Sequence, residues 1–293
     1  RATSSRNGGR DHLGMVGDIK SERWARLFRN GGRHRAESAV DARSFFKAIR
    51  KNPAQYFIIH YSSEMLFDEN LEGHSPRITS IVVMHYPTAQ TQSFAFHLSA
   101  DLLNIPKDQV DANLDEIEMD LLSRFYKFAR DRRLMYWIHW NMRGQLFGFE
   151  HLEHRYRKLT GLDAPNIPVE VRLNLNDILR ARYGHNYAPH KQLQNLMLLQ
   201  GDMPKGFLEG GEEAECFTRR EFIRMNESTN TKVHFFRHVI DLALRGKLKT
   251  AGRSLANRID RLLESRTSRV LAFTGTVLGL LSWIGWLVLL AMH

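Results

Sequence analysis

The feature that most restricts this chain is its C-terminal end: from Val270 to Met292 there is no charged side chain, and only His293 follows. At about 1.5 Å of rise per residue this run makes a helix of roughly 35 Å, against a bilayer hydrocarbon core of about 30 Å. The sequence therefore predicts a single membrane-spanning helix over 270–293. Arg258, Arg261, Arg266 and Arg269 precede it and nothing comparable follows, which puts the large N-terminal part on the cytoplasmic side. A span that ends at the last residue emerges only after synthesis is finished, the arrangement of a tail anchor.

Ala272, Gly275, Gly279 and Ser282 recur along one face of that helix, with Gly275 and Gly279 spaced as GxxxG. Small residues at this spacing let two backbones approach closely, so a homo-oligomer formed through the membrane helix is expected. Upstream, Leu248, Leu255, Ile259 and Leu262 fall at helical spacing with Arg253, Arg258 and Arg261 among them. Residues 245–269 are thus expected to be a basic amphipathic helix lying on anionic headgroups, with nucleic acid as its competing partner.

The chain carries 42 Lys/Arg against 32 Asp/Glu, a formal net charge of +10, but the excess sits at the flanks. Residues 1–45 hold ten basic against five acidic side chains, and 245–269 hold eight against two. The interval between them is close to neutral, like an ordinary soluble domain. Arg1 to Gly32 is rich in Arg, Gly and Ser and lacks the apolar run of a secretion signal, so 1–45 reads as a basic tail. The chain does not open with Met, which suggests a fragment, a processed chain or a partial reading frame. The single cysteine, Cys216, excludes an intramolecular disulfide framework and a cysteine-based zinc finger.

Within 46–244 the hydrophobic pattern predicts a helix at 44–51, strands at 55–60, 78–85 and 93–97, a helix at 115–132 and a strand at 134–139. Helices are expected at 147–159, 173–182, 190–199, 217–225 and 229–246. Three neighbouring strands point to an antiparallel meander, and the whole to an α/β or α+β domain with one mixed sheet and flanking helices.

That order, together with Phe57-Ile-Ile-His60-Tyr-Ser62, Ser75-Pro-Arg-Ile-Thr-Ser-Ile-Val-Val, and Trp137-Ile-His-Trp-Asn141 followed by Leu146-Phe-Gly-Phe-Glu-His-Leu152 and Arg155, resembles the ribonuclease H-like fold of the DEDD 3′-5′ exonucleases. The likeness covers roughly 55–240 and includes Gly210 to Val233, which is similar to the family's late helical region. It implies two divalent cations, Mg²⁺ or Mn²⁺, held about 4 Å apart by four carboxylates. The matching positions carry His60 and Ser62 in place of Asp-x-Glu, Gly148 in place of the acid after Phe147, and Lys232 in place of the Asp before Val233. The resemblance therefore implies a domain without catalytic residues or cofactor; a register shift would make Glu64 the surviving acid.

Arg130, Arg132, Arg133, Arg143, Arg155, Arg157 and Lys158 flank Trp137, Trp140 and Tyr156, an interleaving that suits phosphate contacts and base stacking on single-stranded nucleic acid, with Trp140 as a stacking ring. The bland alternative is a solvated basic surface over core aromatics. His234 and His238 stand at i and i+4 but lack the Glu of a zinc-protease pair, so no metal site is expected there. Glu150, His151, Glu153 and His154 read as a solvated helix face, and Asp115, Glu116, Glu118 and Asp120 as a helix N-terminus favoured by the macrodipole.

The sequence thus predicts a membrane-anchored, non-catalytic ribonuclease H-like domain that binds a nucleic acid or a protein partner and couples it to a self-associating membrane helix. Two alternatives stay open: a membrane-tethered metal-dependent 3′-5′ exonuclease, and a membrane scaffold with no role on nucleic acid.

Overall fold

Tyr56 to Ser63 has the composition of a strand covered on both faces, and all eight of its residues are buried. In the computed structural model, which describes residues 41–65, 75–144 and 147–251, this segment is β1 at the centre of a five-stranded sheet. It pairs antiparallel with β2 (Ile78–His85), which pairs antiparallel with β3 (Thr91–Ala95). On its other side it runs parallel to β4 (Tyr136–His139), which runs parallel to β5 (Arg172–Asn174). The order β3-β2-β1-β4-β5 makes an α/β fold with a mixed sheet, the expected meander forming one half.

The helices are α1 (Ala42–Lys51), α2 (Phe96–Leu102), α3 (Leu114–Arg130), α4 (Phe149–Thr160), α5 (Leu175–Tyr183), α6 (Gln192–Gln200), α7 (Gly210–Thr218) and α8 (Phe222–Leu244). Strand alternation divides the core in two. Tyr56 and Ile58 join Val82, Met84, Ile138 and Leu173 on one face, packed under α1, α5, α6 and most of α8. Phe57, Ile59 and Tyr61 join Ile81, Val83 and Trp137 on the other, under α3, α4 and α7. Fully buried side chains such as Phe125 and Phe236 each contribute about 1.5–3 kcal/mol of apolar burial, so two filled faces hold the sheet between helix layers. Because 56, 58, 60 and 62 share a face, His60 and Ser62 are directed at α8.

Several expectations are corrected. The third strand ends at Ala95, because Phe96, Ser99 and Ala100 recur at helical spacing and bury as the face of α2. The helix expected from Leu173 starts two residues later: Arg172–Asn174 is β5, and the Asn174 side chain caps α5 by accepting from the Asn176 amide. No helix spans 217–225, since the chain turns between α7 and α8 with Arg220 at φ +60°. Leu248 does not continue a helix into an amphipathic segment. It is buried, as is Thr250, in a non-helical stretch tied to the Gln200 side chain by Lys249.

The tail expected over 1–45 is corrected at its end, since residues 42–45 belong to α1 and bury Ala42 and Phe45. Residues 1–40, the rest of the juxtamembrane segment and the span with Ala272, Gly275, Gly279 and Ser282 lie outside the described residues. Among the described residues no helix is long and apolar enough to cross a membrane.

Candidate functional site

The alternation of β1 and the 3.6-residue period of α8 bring His60, Ser62 and Lys232 into one region. What fills the space is an internal polar cluster. Glu213, on α7, accepts at one oxygen from three donors: the Lys232 ammonium at 2.7 Å, Ser228 Oγ at 2.8 Å and Ser62 Oγ at 3.0 Å. Ser62 also lies 2.6 Å from Thr229 Oγ1. Lys232 and Glu213 are only 6% and 4% exposed, so this is a dry ion pair. The segment before α7 seals it: the Leu208 amide donates to Ser228 Oγ at 3.1 Å, and the Phe207 ring stands 5.3 Å from the ammonium.

His60 is buried against the Phe147 and Phe236 rings, and its Nδ1 has no hydrogen-bond partner among the described residues. Burial, then Lys232, then His139 hold its pKa well below the ordinary imidazole value, so the ring is neutral. His139 lies in the same region of β4 and its Nδ1 accepts the Met142 amide. Gly148 sits where an acid is expected. A Cβ built there lies 2.5 Å from the Gly144 carbonyl oxygen and 2.9 Å from the Arg143 carbonyl carbon, so backbone occupies the room a carboxylate side chain needs.

A pair of Mg²⁺ or Mn²⁺ ions requires several anionic oxygens converging on open space. The cluster has one carboxylate, already committed to an ammonium and two hydroxyls, so its residues do not fit the metals. Among the described residues no group of three or more His, Cys, Asp or Glu is placed to hold a cation. Glu64 stands beyond the cluster at the end of β1, accepting from the Arg77 amide at 3.1 Å.

The basic residues singled out in the sequence do not form one surface. Arg130, Arg132 and Arg133 lie before β4, whereas Trp140 and Arg143 lie after it, about 13 Å of strand apart. Arg130, Arg133, Arg157 and Lys158 are exposed; Arg132 stacks its guanidinium 4.0 Å from the Phe128 ring. Arg157 pairs with Asp163 at 2.8 Å and Arg143 pairs with Asp177. Two expectations are corrected. Arg155 is 2% exposed and forks onto the buried carboxylate of Glu118 and the Ser75 carbonyl, so it serves the interior. Trp140 is 6% exposed and stacked on Phe236 at 5.6 Å, leaving no open ring for a base.

Two acidic segments also differ from their expected roles. Glu118 is buried rather than merely dipole-stabilised; burial pushes its pKa up while Arg155 opposes the shift. Glu150 and Glu153 bind the buried Arg172 at 2.6 and 3.0 Å, and the buried His151 bonds the Pro76 carbonyl, so a partly exposed helix face clasps an interior arginine.

Sequence reading missed Glu213, Ser228, Thr229 and His139. A signal existed for the first: Glu213, Cys216 and Phe217 fall at i, i+3 and i+4, which puts the glutamate on the buried face of α7. Compared with protein-family models, with curated proteins and with solved structures, the chain matches none.

Proposed function

We propose that the chain is a membrane-anchored, non-catalytic domain of ribonuclease H-like fold, which binds a nucleic acid or protein partner and couples it to a self-associating membrane helix. The observation that carries the non-catalytic part is the Lys232–Glu213 pair, with Ser62 and Ser228 on the same oxygen. An ammonium inside the cluster supplies the positive charge that metal ions supply in a two-metal nuclease, but it polarises no water and holds no leaving oxygen. The antiparallel meander continued by parallel β4 and β5 supports the fold reading. The exposed Arg133 and Lys158 support contact with a polyanionic partner, although the basic residues do not form one surface. The apolar run at 270–292, preceded by arginines, supports the anchor and its cytoplasmic orientation.

The test is to incubate purified full-length protein in mild detergent with 3′-labelled single-stranded DNA and RNA in Mg²⁺ or Mn²⁺. No release of 3′ nucleotides is expected. Metal-dependent release that Glu213→Gln or Glu64→Gln abolishes overturns the reading and restores the exonuclease.

A further inference from the structure

Beyond the carboxyl end of β4, a cavity of about 760 Å³, lined by none of His60, Ser62, Glu213, Ser228 and Lys232, opens between Trp140, Asn141, Arg180, His185, His190 and Lys191. Among the described residues that line it there is no aspartate or glutamate. Parallel strands commonly bind ligands outside their carboxyl ends, and β4 and β5 are such a pair.

Arg180 gives the cavity its chemistry. Its Nε is buried without a hydrogen-bond partner, and its guanidinium makes no hydrogen bond or ion pair among the described residues. Asp177, one turn earlier on α5, is taken by Arg143. A guanidinium donor withdrawn from water with no acceptor is costly to keep, and its planar fork matches phosphate oxygens. Around it stand His185 and His190, both exposed, and Lys191, which gives one bond to Glu209 at 2.8 Å and has further ammonium protons to offer. Asn141, at φ +50°, is fixed by its amide donating to Asn174 Oδ1 and by its own Oδ1 accepting from Asn174 and Asn176, so the wall is preformed.

We propose that this cavity binds a phosphoryl group, with Arg180 as its principal donor and His190 and Lys191 at the rim. Ala251 also lines the cavity, its amide bonded to the Tyr187 carbonyl at 2.9 Å, and in the sequence it directly precedes the basic segment before the apolar run. The phosphoryl group can therefore come from a lipid headgroup or from a soluble phosphate. The site is independent of whether the domain is catalytic.

The experiment uses full-length protein in a neutral detergent. Thermal unfolding and titration calorimetry are run with inorganic phosphate, then with nanodiscs of phosphatidylcholine with and without phosphatidic acid. Saturable stabilisation is expected, weakened at least about tenfold in Arg180→Met, a change typical of losing a charged hydrogen bond. His190→Gln, at an exposed position, is expected to bind severalfold more weakly, which keeps the test decisive if Arg180→Met does not fold. Stabilisation by inorganic phosphate identifies a soluble source; stabilisation only by phosphatidic acid identifies a headgroup. If neither stabilises the parent, or if the folded variants respond as the parent does, the site does not exist.

Discussion

Lys232→Met removes the ammonium and leaves the Glu213 carboxylate in a dry interior with two hydroxyl donors. The pair is 2.7 Å long and both side chains are under a tenth exposed, so the bulk of the carboxylate's desolvation is no longer offset. Breaking one partner of such a pair costs about 3–5 kcal/mol. In a domain of this size that lowers the melting temperature by about 6–20 °C. Lys232→Met/Glu213→Leu removes both charges and is expected to recover most of the loss, since a buried pair is often no better than apolar residues of similar volume. Arg157–Asp163 supplies the contrast: its side chains are 56% and 86% exposed, and Arg157→Met is expected to cost under about 1 kcal/mol. Circular dichroism of the full chain in mild detergent, by heat and by urea, measures all three. A loss under about 1 kcal/mol for Lys232→Met, or a double variant no more stable than the single one, would refute the claim that Lys232 and Glu213 form a dry, mutually compensating ion pair.

The neutral His60 makes stability depend on pH. Its folded pKa is depressed, so below the ordinary imidazole value of about 6.5 the unfolded chain takes a proton that the folded chain refuses, and stability falls by up to about 1.4 kcal/mol per pH unit. His60→Gln should flatten that fall between about pH 6.5 and 5 by close to one proton, because His97, His154 and His234, also depressed, are common to both proteins. Equal slopes would contradict the assignment. Gly148→Ala is expected to lose about 1–3 kcal/mol through its clash with the Gly144 and Arg143 backbone, and parent-like stability would mean the loop gives way. Deleting 270–293 should release the protein from membranes, and Gly279→Ile should keep insertion while reducing crosslinked oligomers. Full membrane retention by the first, or undiminished crosslinking by the second, would remove the anchor or the helix contact respectively.

Much of the sheet was legible because its strands carry strong local signals: β1 and β2 contain the buried runs Tyr56 to Ile59 and Ile81 to Met84, and α3 repeats Ile117, Leu121, Leu122 and Phe125 at helical spacing. β5 was not, because three residues are too few for a period to register, and its pairing comes from β4 alone. The candidate centre was half legible. His60, Ser62 and Lys232 were found by position, but their meaning depends on Glu213, which reaches the cluster from a helix 151 residues beyond Ser62 in sequence. Charge was the least readable property. Arg155 looks like a surface cation in the sequence, and only tertiary pairing with Glu118 reveals it as interior; Arg172, held by Glu150 and Glu153, is buried likewise.

The most direct test of the central claim, that an internal ion pair fills the position of a metal centre, is Mn²⁺ titration of the full-length protein followed by electron paramagnetic resonance. The account predicts that free Mn²⁺ signal grows from the first addition, with no stoichiometric binding that depends on Glu213. Loss of the free signal for one or two equivalents per chain, reversed by Glu213→Gln in a protein that remains folded, would contradict it.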